Sequence, residues 1–229
     1  MRFVLRRLRH SRALVLAGAA IAALVLTATA AAGLDRYKLR QTTAGTAAAR
    51  AVMLQKVDLG SPSDWKGGPV KPDISTMPGC PNFHPKHSDL VLAGAAAVSY
   101  VNAGVTMRSD SEVFATAKML RLDWQRTVRS PHFLACLRAH ARKNWTGKNR
   151  FVSLRPLIIP ESTPGTTAFR LVLKVTRNGN SVLVALDTIA LARGKTEVAL
   201  STIMPLAGVP TLFPNELVVF KALAGRVPA

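Results

Sequence analysis

Acidic residues are scarce in this sequence, which holds 12 aspartates and glutamates against 31 lysines and arginines. The resulting formal net charge is +19 at pH 7. Such an excess attracts anionic surfaces, among them phospholipid head groups, acidic envelope polymers and nucleic acid. The same charge can also serve only to keep the protein soluble, so both interpretations stay open.

Catalytic motifs are lacking as well. The sequence contains no G-x-S-x-G elbow, no H-E-x-x-H pair and no glycine-rich phosphate loop. A nucleophilic enzyme needs a nucleophile, a base and an orienting partner, and isolated serines, histidines and aspartates do not define such a set. We therefore predict a protein that is not an enzyme and that has no cofactor. A small zinc-dependent or hydrolytic exported enzyme is the alternative.

Only two cysteines are present, Cys80 and Cys136. In an exported protein an isolated cysteine pair favours a disulfide, because the compartment outside the membrane permits oxidation. The sequence therefore predicts a Cys80–Cys136 disulfide.

The N-terminal region has the pattern of an export segment. Five arginines, at positions 2, 6, 7, 9 and 12, precede an apolar run over residues 13–32 that holds no ionisable side chain. This pattern is typical of a signal peptide, while the length of the run also suits a spanning helix. We expect residues 1–32 to be a signal peptide or an N-terminal membrane anchor, with the rest of the chain outside the membrane or in the cell envelope.

Beyond that segment, we expect a linker over residues 33–55, part of it helical, and one domain over residues 56–229. Frequent glycine and proline over residues 58–88 predict an irregular lead-in that Cys80 anchors to the core. The apolar patterns predict strands over residues 90–101, 105–114, 151–159, 167–176, 181–191 and 197–204.

Helices are predicted where the hydrophobic period changes. Residues 117–129 carry apolar side chains at helical spacing. A second helix is expected from residue 130, with Ser130 as N-cap and Pro131 at the first position. Pro214 is expected to precede a C-terminal helix.

The short connections between the later strands favour hairpins. Asn178-Gly179 is the strongest hairpin signal, because a type I′ turn needs positive φ at both central residues. Consecutive strands that pair in sequence predict an α+β fold. We expect an antiparallel sheet of about six strands, packed by two consecutive helices and a C-terminal helix.

This order of elements resembles the extracellular sensor-domain family of bacterial serine/threonine kinases and related free secreted proteins. The residues that carry the resemblance are Pro78-Gly79-Cys80-Pro81, Val113-Phe114-Ala115-Thr116-Ala117 and Phe133-Leu134-Ala135-Cys136-Leu137. The resemblance implies a PsbP-like α/β sandwich over residues 56–227 with a ligand-binding cleft, and it transfers no functional residues. The kinase-linked domains usually carry two disulfides, whereas this chain can form one, and the sequence contains no kinase.

A metal site is a second interpretation of the cysteines. His132, Cys136 and His140 recur at i, i+4 and i+8, and His84 and His87 follow Cys80. Two cysteines and two histidines suit tetrahedral zinc. However, an i to i+8 span along a helix is about 12 Å, too long for three ligands of one ion. We therefore predict the disulfide and no metal.

Positive charge is concentrated between residues 118 and 155, where Asp123 is the single acid. We name eight of these side chains the basic patch: Arg121, Arg126, Arg129, Arg138, Arg142, Lys143, Lys148 and Arg150. Because export argues against nucleic acid, we expect the patch to meet an anionic envelope lipid or polymer, or a partner protein. The sequence thus predicts an exported or membrane-anchored, sensor-like binding domain for an anionic or apolar envelope ligand.

Overall fold

The structure is a computed structural model that describes residues 35–76, 79–160 and 162–229. The export segment predicted at residues 1–32 lies outside the described residues.

Within the described residues, eight strands form one mostly antiparallel sheet. They are β1 Lys38–Leu39, β2 Lys66–Val70, β3 Val91–Asn102, β4 Val105–Phe114, β5 Asn149–Pro156, β6 Thr166–Arg177, β7 Asn180–Arg193 and β8 Thr196–Pro205. The path across the sheet is β1-β3-β4-β8-β7-β6-β5, and β2 also pairs with β3. β1 is parallel to β3, and every other pairing is antiparallel. The α+β class is confirmed, with two short edge strands that were not predicted.

In the part of the chain that the structure describes, four α-helices pack on this sheet: α1 Thr43–Ala51, α2 Ala117–Arg126, α3 Phe133–Asn144 and α4 Val209–Arg226. Since alternate side chains of a strand point to opposite faces, each face has its own core. On the first face, α1 and α4 pack against apolar residues of the central strands, such as Met107, Ile189 and Leu200. α2 and α3 pack on the second face, where they leave an open band between them.

The β6–β7 hairpin forms at the predicted turn. Asn178 has φ of 50° and Gly179 has φ of 79°, the positive values that a type I′ turn needs. The register from this turn runs without interruption from Arg177↔Asn180 to Thr166↔Leu191. The turn chemistry therefore fixes which side chains of β6 and β7 share a face.

Within the segment expected to be a partly helical linker, the described residues 35–55 contain α1, and this helix packs directly on the sheet. Gly45 of α1 lies directly against the backbone of Ala93 and Gly94 in β3, where a Cβ on either glycine would overlap backbone atoms. This close approach buries Ala49 and Val52. The described part of the lead-in over residues 58–88 is irregular apart from short 3-10 turns, such as Pro62–Asp64, and β2. The Lys-Gly-Gly-Pro-Val sequence of β2 has little strand propensity and pairs only along the edge of β3.

Two helix starts also differ from the prediction. α3 begins at Phe133, because Ser130 accepts a hydrogen bond from the backbone of His132 in a turn that precedes the helix. α4 begins at Val209 and contains Pro214. Among the described segments, Leu206–Arg226 is long and apolar enough to span a membrane by length and composition. In this fold it buries Val219, Phe220 and Leu223 against the first face.

Charged side chains are buried where α4 meets the first face. Arg170 of β6 donates two hydrogen bonds to Asp187 of β7, and both residues are buried. Arg170 also lies over the ring of Phe213, 5.2 Å from its centroid. Glu216 of α4 has no exposed surface, and burial together with the nearby Asp187 charge raises its pKa to about 8.

We predict that Glu216→Gln flattens the pH dependence of stability. The Glu216 carboxyl holds a proton in the folded state up to about pH 8, whereas the unfolded chain releases it near the ordinary value of 4.5. Its contribution is therefore fully present below pH 4.5 and is lost as pH rises towards 8. Urea unfolding at a series of pH values measures this loss. The free energy of unfolding should decline less with rising pH for Glu216→Gln than for the wild type.

The matched control for that experiment is Asp64→Asn, which removes an exposed carboxylate. It should leave the decline unchanged. An equal decline in wild type and Glu216→Gln would show that Glu216 does not titrate in this range.

Candidate functional site

The candidate site is a cleft on the second face of the sheet, in the band between α2 and α3. α2 covers one end of this face, where Leu120 and Trp124 pack with Phe114. α3 covers the other end, where Ala141 packs with Leu154 and Leu171. Because the two helices pack on separate parts of the face, the strands between them form an open floor with a cavity of about 360 Å³. This volume lies within the range of ligand pockets.

A row of polar side chains crosses the floor of the cleft. The register pairs Ser99 with Arg108, Arg108 with Ser201, and Ser201 with Thr188, so one residue comes from each of β3, β4, β8 and β7. We name this set the polar row, and all four residues line the cleft. A ligand on this floor meets hydroxyl groups that can both donate and accept hydrogen bonds.

An apolar row lies beside the polar row, two residues away along β8 and β7, and it continues across β6 and β5. The register pairs Ile203 with Leu186, Leu186 with Leu171, and Leu171 with Leu154. We name these four residues the apolar row. The wall above it comes from the end of α3 and the residue that follows: Leu137, His140, Ala141, Asn144 and Trp145. The cleft is therefore amphiphilic, with one polar strip and one apolar strip side by side.

Two further groups define the polarity of the floor. Arg108 donates two hydrogen bonds to Asp110, at 2.5 and 2.6 Å, so its charge is largely neutralised within the cleft. Thr106 has 2% of its surface exposed, and its Oγ1 has no hydrogen-bond partner among the described residues. Buried hydroxyls normally have a partner, and Thr106 lines the cleft, so a ligand atom can supply one.

Carboxyl groups gather beyond the cleft, under α2. Glu112 and Glu197 face each other across β4 and β8, and Trp124 donates a hydrogen bond to Glu197 at 2.7 Å. Burial raises the pKa of Glu197 to about 7. Burial and the neighbouring Glu197 raise the pKa of Glu112 well above its ordinary value. Carboxyl groups thus become more frequent on this face from the cleft towards α2.

Asp123 organises a buried hydrogen-bonded group in the same region. It accepts a hydrogen bond from the Tyr37 hydroxyl at 2.9 Å and lies 3.0 Å from Nδ1 of His87. Burial is the main cause that raises the pKa of Tyr37. His87 has 2% of its surface exposed, and neither it nor Asp123 lines the cleft. The sequence analysis did not predict this pair, because 36 positions separate its members.

The structure joins Cys80 and Cys136 in a disulfide, with the Cα atoms 5.6 Å apart. Phe83 and Phe133 surround it. Since Cys136 lies in the middle of α3, the bond ties the wall of the cleft to the lead-in segment. The lead-in also contributes Asp73 to the cleft lining.

The basic patch is spread over two sides of the molecule. Arg126 forms an ion pair with Asp89, and Arg138 donates to the carbonyl of Leu154. Arg121 and Arg129 line a separate depression beside α2. Two exposed members, Arg142 and Lys143, lie in the last turn of α3, and two more follow it in the chain, Lys148 and Arg150, the latter in β5. The binding role of the basic patch remains a prediction.

Comparison with known proteins gives few matches. No protein-family model matches the chain, and no curated protein matches it. Among solved structures, LpqN of Mycobacterium tuberculosis, described as involved in cell envelope biogenesis, aligns with 69% of this chain and 88% of its own at 15% identity. The TM-score of that alignment is 0.30. A similarity at this level supports no conclusion about function, and the resemblance to the kinase sensor domains stays a prediction.

We predict that replacing both cysteines, in the variant Cys80→Ala with Cys136→Ala, lowers the free energy of unfolding. The bond closes a loop with a sequence separation of 56, for which the chain-entropy relation gives about 4 kcal/mol. Urea unfolding followed by tryptophan fluorescence measures this change, and reduced wild-type protein serves as the matched control. A midpoint equal to that of the oxidised wild type would contradict the prediction.

Proposed function

We propose that this chain is an exported, non-enzymatic binding domain whose cleft holds a single-chain anionic amphiphile of the cell envelope. The observation that carries the proposal is the placement of the polar row and the apolar row side by side on one accessible floor. A ligand that satisfies both strips has hydrogen-bonding groups at one end and an apolar chain at the other.

The polar row favours a head group with several oxygens. Ser99, Ser201 and Thr188 offer hydroxyls on neighbouring strands, and Thr106 adds a buried hydroxyl without a partner. Pocket specificity commonly comes from a few polar groups placed within an otherwise apolar lining. A glycerol phosphate head group would meet these hydroxyls with acceptor oxygens and donor hydroxyls of its own.

The apolar row and α3 favour an acyl chain rather than a second polar group. Leu154, Leu171 and Ile203 belong to one buried cluster with Ala141 of α3. Burial of a methylene group in such surroundings contributes about 0.8 kcal/mol. A chain of several methylenes therefore supplies much of the affinity.

The charge of the molecule favours an anionic ligand. Two exposed basic residues, Arg142 and Lys143, lie in the last turn of α3, the helix that forms the wall of the cleft. Exposed cations of this kind increase the association rate of anions in a salt-dependent way. The disulfide fits a protein that folds in an oxidising compartment, which agrees with the predicted export.

We predict that the purified protein binds lauroyl lysophosphatidylglycerol below its micelle concentration, as measured by equilibrium dialysis. Ser201→Phe, which places a bulky ring on the polar row, should weaken this binding at least tenfold, which corresponds to about 1.4 kcal/mol. Ala139→Phe adds the same ring at an exposed position of α3 and should bind as the wild type does. Lauroyl lysophosphatidylcholine, whose head group has no net charge, should bind more weakly.

The proposal is wrong if the wild type does not bind the anionic lipid, or if Ser201→Phe binds it as tightly as the wild type. Near-ultraviolet circular dichroism of Ser201→Phe checks that the fold is unchanged.

A further inference from the structure

An imidazole lies directly beside the disulfide. The two sulfur atoms of Cys80 and Cys136 and a ring nitrogen of His140 lie within 4.8 Å of one another. Cys136 and His140 are four residues apart on α3, so the helix itself places them on one face. Cys80 reaches the same point from the lead-in, held by its backbone pairing with Phe83.

These three atoms are the donor types that zinc prefers. A tetrahedral site with Zn–S bonds of about 2.3 Å and Zn–N bonds of about 2.0 Å separates neighbouring ligand atoms by about 3.3 to 3.8 Å. The present group is already compact enough for that spacing once the sulfur–sulfur bond is opened. The donor atoms of Cys136 and His140 keep their relative positions when the bond opens, because both residues lie on one face of α3.

A second imidazole is available for the fourth position. His84 packs against Gly79, the residue before Cys80, and His140 Nε2 lies 3.4 Å from the Gly79 carbonyl oxygen. The chain therefore presents two Cys-x3-His pairs, Cys80 with His84 and Cys136 with His140. His84 is exposed, so its side chain can turn towards the sulfurs without repacking the core.

We infer that this cluster is a redox-controlled zinc site, in which the disulfide and a zinc complex are alternative states of the same residues. In the oxidised state the two sulfurs are bonded to each other and cannot act as thiolate ligands. A dithiol reductant converts the disulfide into two thiols by transferring two electrons and two protons, and it becomes a disulfide itself. Zinc then binds the two sulfurs as thiolates together with neutral His140, and two protons are released.

The surroundings suit both steps. Cys80 retains 8% of its surface exposed and Cys136 retains 3%, so the disulfide lies just below the surface on the side of Cys80. Phe83 and Phe133 line the cluster. An apolar shell of this kind limits the access of water to a bound metal.

This inference changes the ligand set that the sequence suggested. The helical spacing argument excluded His132, Cys136 and His140 as ligands of one ion, and the structure agrees because exposed His132 is not part of the group. Cys80 takes its place, and only the tertiary fold brings that residue to α3. The inference does not depend on the proposed lipid ligand.

Cobalt, a spectroscopic substitute for zinc, tests the site. Full-length protein is reduced without oxygen, freed of reductant and titrated with Co²⁺. We predict the visible bands of tetrahedral cobalt and a near-ultraviolet sulfur-to-cobalt band, at one Co²⁺ per chain and displaced by Zn²⁺. The oxidised protein should show neither band.

Variants separate this site from non-specific thiol binding. His140→Ala should weaken Co²⁺ binding at least tenfold and reduce the tetrahedral bands, whereas His132→Ala, an exposed histidine one residue before α3, should behave as the wild type does. Absence of tetrahedral bands in the reduced wild type would overturn the inference. So would equal spectra and affinities for His140→Ala and wild type, the result expected if reduction unfolds the chain and its thiols bind metal alone.

Discussion

The disulfide between Cys80 and Cys136 is the constraint on which the cleft depends. α3 forms one wall of the cleft and covers only one end of the second face, so its position is not enclosed by other helices. The bond fixes the middle of α3 to the lead-in, which is itself held to the sheet through β2. A covalent tie between two such elements holds the wall at a constant distance from the floor.

The strand register creates the chemistry of the floor. Along each strand, side chains point alternately to the first and the second face, so neighbours on the second face are two positions apart in the sequence. Ser201 and Ile203 of β8 are such neighbours, as are Thr188 and Leu186 of β7. Because β3, β4, β8 and β7 are aligned without a shift in this region, like residues fall into continuous rows. A shift of one residue in any strand would turn its contribution away from the cleft.

Local patterns predicted much of the fold and little of the site. β4 was predicted over residues 105–114, as observed, because its side chains alternate strictly, and the Asn178-Gly179 turn determined the β6–β7 hairpin. β1 and β2 were missed because pairing with β3, rather than their own sequence, makes them strands. The polar row could not be seen, since Ser99 and Ser201 come together only through the order of strands in the sheet. His140 is a further case, because its position beside the disulfide depends on the tertiary path of the lead-in.

The central claim, that the cleft between α2 and α3 is the binding site, is tested most directly by amide chemical shifts in nuclear magnetic resonance spectra. Lauroyl lysophosphatidylglycerol is added to isotope-labelled protein below the micelle concentration. The account predicts that the largest shifts lie along the floor and wall of the cleft, at Ser99, Thr188, Ser201 and Ala141. Shifts concentrated on α4 and the first face, or spread evenly over the basic surface, would contradict it.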